Sequence, residues 1–229
     1  MENNRLLSAK DLSIGHEGRI LCRNISFEVD KGDCIMLCGA NGSGKTTLLK
    51  AIVSSDKVIR NGEVIMIPAR IPKISGFTLR EFIRISCFNK SDLYGRLSVM
   101  EEDKLDKAIS ELGLSHLADR DISKLSDGEF QKGALAAALV RKASVILLDE
   151  PTSFLDAENR INVLRTLRRL CDGQGADSKP AIIFSTHDLH DGLAVCTKVY
   201  AIAPDGLFHR SIDRDEDSMK ETVSKIFKR

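Results

Sequence analysis

Residues Gly39-Ala40-Asn41-Gly42-Ser43-Gly44-Lys45-Thr46 fit the pattern G-x-x-x-x-G-K-S/T in full. Glycines at these points let backbone N–H groups turn inward around phosphate oxygens, and a helix opening directly behind them adds its positive end. Lys45 can then reach the β- and γ-phosphates of a nucleoside triphosphate, while the Thr46 hydroxyl ligates Mg²⁺. Gly39, Asn41, Gly42, Ser43, Gly44, Lys45, Thr46 and Thr47 are the candidate nucleotide-binding residues. A chance glycine turn would resemble this loop, but the apolar run CIMLC just before it supplies the strand that such a loop requires.

The second chemical stretch is Val145-Ile146-Leu147-Leu148-Asp149-Glu150. A continuous apolar run suits a parallel strand buried on both faces. Ligands in such sheets sit beyond the carboxyl ends of the strands, where Asp149 and Glu150 emerge. Asp149 is the candidate Mg²⁺ residue, and Glu150 the candidate base that polarises a water attacking the γ-phosphate. His187, in Phe184-Ser185-Thr186-His187-Asp188, follows another buried strand and is the candidate contact to the γ-phosphate or that water. A lone His after a strand can equally be structural, and His116, His190 and His209 read as surface or packing residues.

These residues need a sheet and helices to hold them. LLSAKDLSI and ILCRNISFEV read as strands around the turn-like Gly15-His16-Glu17-Gly18, followed by CIMLC, the glycine loop, a helix and the strand GEVIMI ending at Pro68. From residue 78 to 142 the pattern turns helical. Thr78 and Glu81 form a capping box, and Glu101 to Leu112 is an amphipathic helix stopped by Gly113. VILLD, a helix from Ala157 to Cys171 with Ile161, Leu164, Leu167 and Cys171 on one face, AIIFS, a short helix, KVYAI and a helix from Met219 to Phe227 complete the chain. Residues 173–180 read as a surface loop. The expected fold is α/β, with residues 1–75 and 143–229 as a nucleotide-binding core and 76–142 as a helical subdomain.

Composition excludes several classes. The 229 residues carry 34 Lys and Arg against 33 Asp and Glu, so no overall basic field draws the chain to nucleic acid. Cysteines at 22, 34, 38, 87, 171 and 196 are scattered without a C-x-x-C, which fits a reducing cytosol better than a disulfide framework or zinc site. MENNRLLSAKDL lacks the apolar run of a signal peptide, and no segment approaches the roughly 18 apolar residues of a membrane span.

One stretch is left over. Leu125-Ser126-Asp127-Gly128-Glu129 starts a helix with a capping box, yet puts a Gly in the first turn, where Gly weakens a helix. In order and approximate spacing, the glycine loop, LSDGE, LLDEPTSFLD (147–156) and STHD (185–188) resemble the nucleotide-binding subunits of ABC transporters. LSDGE is similar to that family's LSGGQ signature. The resemblance implies a P-loop ATPase core with an N-terminal antiparallel β region and a helical insertion, hydrolysing ATP with Mg²⁺. It implies a head-to-tail homodimer in which Ser126 and Gly128 press on the ATP of the other subunit and Asp156 lies across the dimer axis. On this reading Gly128 serves a ligand from outside its own subunit.

The resemblance spans about Arg5 to Phe227, and the run from Tyr94 to Asp119 resembles importer ATPases for iron–siderophore, haem and cobalamin. That implies peripheral attachment to the cytoplasmic side of a membrane permease, fed by an extracytoplasmic substrate-binding protein. Two departures stand out. The family's Gln after the strand ending MIPAR is replaced by Ala69, the only glutamines being Gln131 and Gln174. The aromatic ring that stacks on adenine corresponds to His16, which is also readable as a plain turn residue. The segment from the glycine loop to Ala69 is short, suggesting a trimmed β region. Asp127 and Glu129 are expected to face away from phosphate and serve the cap and helix dipole. A soluble ABC ATPase of complex assembly or regulation, with weak hydrolysis because of Ala69, is the alternative. A P-loop kinase or GTPase would have no use for LSDGE.

Overall fold

The computed structural model describes residues 4–85, 98–153, 155–174, 179–212 and 214–227. Cys87 and the start of the importer-like run, residues 94–97, lie outside them. Two strands, β1 (Arg5–His16) and β2 (Arg19–Asp30), form a hairpin whose turn is only Glu17 and Gly18, both at positive φ. His16 therefore ends a strand, pairing with Arg19, rather than sitting in the turn. β4 (Val58–Arg60) joins β1 to complete a small antiparallel sheet in the order β2-β1-β4.

The central sheet runs β5-β6-β7-β3-β8-β9, built from β3 (Cys34–Gly39), β5 (Val64–Ile67), β6 (Val145–Leu148), β7 (Ala181–Ser185), β8 (Lys198–Ile202) and β9 (Phe208–Arg210). All pairs are parallel except β8–β9. The apolar runs are continuous because both faces are covered, and their residues divide with a period of two. Cys34, Met36, Cys38, Ile146, Leu148, Ile182 and Phe184 enter one core, while Ile35, Leu37, Val145, Leu147, Ala181 and Ile183 enter the other. The first core lies against α2 (Leu79–Ile85), α3 (Val99–Glu111), α4 (Asp127–Val140), α5 (Ala157–Cys171) and α7 (Glu216–Ser224). The second lies against α1 (Lys45–Ser54) and the β1–β2 hairpin.

Between β5 and β6, the described residues form α2, α3 and α4 with short 3-10 turns and no strand of their own. The Thr78–Glu81 capping box is present, with Thr78 N–H and Oγ1 both donating to Glu81 Oε2. The buried face of α4 is mostly Gly and Ala, so α2 packs close: a Cβ on Gly133 would lie 2.5 Å from Leu79 Cδ1. On α5 the buried stripe is Val163, Leu164, Leu167, Leu170 and Cys171, with Ile161 half-buried. The expected face was thus rotated toward Val163 and Leu170. No helix among the described residues is long and apolar enough to cross a membrane.

Candidate active site

The strand order decides the geometry. β7 lies between β6 and β3, so residues following these three strands converge at their carboxyl ends. The glycine loop follows β3, Asp149 and Glu150 follow β6, and His187 follows β7.

In the loop, Gly39 (φ 156) and Gly44 (φ 105) adopt backbone conformations that side chains resist. A Cβ on Gly39 would also meet Ser43 Oγ at 2.6 Å and the Ile202 carbonyl oxygen at 2.9 Å. Gly44 starts α1 with no side-chain cap. Lys45 is buried, and its Nζ donates to the carbonyls of Gly39 at 2.9 Å and Ala40 at 3.2 Å. Burial pushes this ammonium below the ordinary lysine range, while Glu150 and Asp149 act in the opposite direction. Asn41, Gly42 and Thr46 are exposed, and Thr47 is half-buried. The Ser43 hydroxyl oxygen is buried with no hydrogen-bond partner among the described residues.

At the acid end, Thr46 Oγ1 donates to Asp149 Oδ2 and Ser185 Oγ to Asp149 Oδ1, each at 2.8 Å. The same Ser185 oxygen accepts the Glu150 N–H at 2.8 Å. Ser153 Oγ lies 2.9 Å from the Glu150 carbonyl oxygen and 3.0 Å from its Oε2. His187 Nε2 is in hydrogen-bond contact with Glu150 Oε1. The turn carrying His187 is braced by Asp188, which caps α6 (Leu189–Leu193) through Asp191 N–H at 3.1 Å and pairs with Arg160 of α5. The Asp191 N–H bond, then Arg160, holds the Asp188 carboxyl below its usual range. Lys45, Thr46, Asp149, Glu150 and His187 thus share one site. Ser185 and Ser153 belong to it as well; neither has a role in the sequence motifs, although Ser185 is the last residue of the buried strand β7 and the first of STHD.

The donor set fits the groups it would have to hold. A buried hydroxyl without a partner among the described residues and an ammonium whose hydrogen bonds go to loop carbonyls suit a polyphosphate. Thr46 and Asp149 offer hydroxyl and carboxylate oxygens, the hard donors that Mg²⁺ takes.

The remaining candidates lie elsewhere. His16 is at the hairpin tip with its side chain 71% exposed. A Cβ on Gly44 would meet Ile14 Cδ1 at 3.2 Å and Leu21 Cβ at 3.3 Å, so the hairpin stem rests on the start of α1. Ser126 caps α4: its Oγ accepts Glu129 N–H at 3.3 Å, and Glu129 Oε2 accepts Ser126 N–H at 2.7 Å. That backbone bond holds the Glu129 carboxyl below its usual range. Asp127 instead pairs with Lys73. Asp156 caps α5, its Oδ1 accepting Asn159 N–H at 2.8 Å. Gly128 also has a neighbour in its own subunit: a Cβ there would lie 2.7 Å from Leu155 Cδ2, the end of a side chain that can turn aside.

A glycine loop opening into a helix, opposed by an acid pair two strands away, is the site of a P-loop nucleoside triphosphatase. A family model described as ABC transporter matches residues 22–153. The iron(3+)-hydroxamate import ATP-binding protein FhuC of Bacillus subtilis is 30% identical over 202 residues, covering 80% of this chain and 74% of its own. The zinc import ATP-binding protein ZnuC of Brucella suis biovar 1 is 30% identical over 207 residues, 86% of this chain and 64% of its own. A chain of a solved ABC transporter assigned to the metal-chelate type, in an inward-facing conformation, superposes with a TM-score of 0.84 at 24% identity, over 98% of this chain and 89% of that one. At that identity the likeness speaks for the fold. The chain belongs to the ABC transporter family and is an ABC-type ATPase.

Proposed function

We propose that this ATPase powers import of an iron chelate, haem or cobalamin through a membrane permease, working as a head-to-tail homodimer. The observation that carries the catalytic part is the contact between Glu150 and His187 beside the linked Thr46 and Asp149. Lys45 and the loop N–H groups bind the triphosphate; Thr46 and Asp149 hold Mg²⁺. The ion, when bound, neutralises charge on the phosphate oxygens. Glu150, fixed by Ser153 and by its own N–H to Ser185, takes the proton of the attacking water. His187 orients that carboxylate and the γ-phosphate. Ser126 and Gly128 of the second copy close the site, Asp156 links the two sites, and His16 stacks on adenine.

Residues 76–142 form the helical arm that carries the signature, and the core is residues 1–75 and 143–229. The names of relatives support import: FhuC is an iron-hydroxamate protein, while ZnuC serves zinc at the same identity. The chain acts at the cytoplasmic face of the membrane, and a substrate-binding protein meets the permease on the other side. Ala69, half-buried just beyond β5, favours a second reading as a regulatory subunit with slow turnover.

The test is affinity capture of the chain from detergent-solubilised native membranes, with mass spectrometry of what is bound. Recovery of a polytopic permease is expected. Only soluble partners, or ribosomes, would sink the importer reading and leave the ATPase attached to another machine.

A further inference from the structure

Lys73, in the segment between β5 and α2, reaches the start of α4. Its Nζ donates to the Leu125 carbonyl at 2.7 Å and to Asp127 Oδ1 at 2.6 Å. Those two residues flank the helix cap Ser126. The ammonium is the more sheltered partner, its side chain 22% exposed against 62% for Asp127.

The capping box takes up the N–H groups of Ser126 and Glu129. Those of Asp127 and Gly128 have no acceptor among the described residues. Such free donors are what a helix start offers an anion. Asp127 is a carboxylate in the same turn, and an unneutralised carboxylate repels any phosphate brought there. Glu129 is occupied by the cap, so Asp127 is the acid whose charge needs an answer. Lys73 supplies it.

We propose that Lys73 is the positioning counter-ion of the signature segment. By neutralising Asp127 it keeps the start of α4 receptive to the γ-phosphate of ATP bound on a second copy of the chain. The inference rests on the head-to-tail reading above. It also accounts for how this chain tolerates an acid where the commoner signature has glycine: the acid is paired with a cation. A simple tether from Lys73 to the Leu125 carbonyl would act differently, since removing the acid would not compensate for its loss.

The test is ATP–Mg²⁺-driven dimerisation of the full chain, slowed in turnover by Glu150→Gln and followed by sedimentation velocity. In that background Lys73→Met is expected to weaken each site roughly threefold, and so a dimer with two sites about tenfold. The difference shrinks as salt is raised toward about 1 M. Adding Asp127→Asn to Lys73→Met restores dimerisation, and Asp127→Asn alone dimerises at least as well as its parent. Unchanged dimerisation in Lys73→Met, or failure of Asp127→Asn to rescue it, overturns the proposal. So does weaker dimerisation in Asp127→Asn alone, a measure that does not depend on Lys73→Met folding well. If the Glu150→Gln parent itself does not dimerise with ATP, the head-to-tail reading falls and takes the proposal with it. A dimerising parent indifferent to Lys73 removes the proposal alone.

Discussion

Ser185 Oγ donates to Asp149 Oδ1 at 2.8 Å, tying the end of β7 to the end of β6. Its oxygen also accepts the Glu150 N–H, so one fully buried hydroxyl sets both acids of the site. Ser185→Ala leaves a buried carboxylate oxygen and a part-buried N–H without this partner, and stability is expected to drop by about 1–3 kcal/mol. Urea unfolding measures that loss. Steady-state phosphate release should fall at the same time, and normal turnover in a destabilised variant would show that the hydroxyl only braces the fold.

Ala69 lies two residues past Ile67, whose carbonyl accepts the Asp149 N–H at 3.0 Å. A longer amide side chain at 69 therefore starts level with the acid pair. Ala69→Gln is expected to raise ATP turnover and its response to the permease. Equal turnover and equal transport in both proteins would mean that the missing amide does not limit the reaction.

His16 stands at the tip of a hairpin whose stem packs on the start of α1. An imidazole can stack on a base with less area than tyrosine. His16→Ala should weaken ATP binding by about 1 kcal/mol, or roughly fivefold in dissociation constant. Fluorescence titration with a labelled nucleotide reads this directly, and an unchanged constant takes His16 out of the site.

The Glu129 carboxyl is held below its ordinary 4.5 chiefly by the Ser126 N–H. A carboxyl depressed in the folded state contributes stability that is complete above its unfolded value and lost as pH falls through the folded one. The α4 cap should therefore weaken below a pH of about 4.5. Glu129→Gln keeps the hydrogen bonds and removes the titration. Its thermal midpoint should fall less steeply with acid than that of the parent; parallel acid limbs would contradict the assignment. The same substitution should leave ATP-driven dimerisation nearly unchanged.

Much of this molecule was legible in one dimension because its chemistry is local. The glycine loop, the buried runs at 34–38, 145–148 and 181–185 and both capping boxes each depend on residues within a few places of one another. What escaped is non-local. β4 and β9 are three-residue strands that exist through pairing with β1 and β8, not through any pattern of their own. Leu155 against Gly128, Lys73 on Asp127 and Ser185 on Asp149 join residues far apart in the chain, and nothing in the neighbouring sequence announces them. His16 was misplaced because Glu17 takes the left-handed conformation that a glutamate seldom adopts.

Glu150 adopts the same unusual backbone, with φ at 47°. A glutamate there sits about 1 kcal/mol or more above a glycine in backbone energy. The chain tolerates this because Ser185 and Ser153 hold the peptide on either side. With Glu150 as the proposed base, thermal robustness and turnover pull in opposite directions at this one position. A search for hardier variants that ignored activity would be drawn to replace Glu150, and the tougher protein it returned would lack the carboxylate proposed as the base.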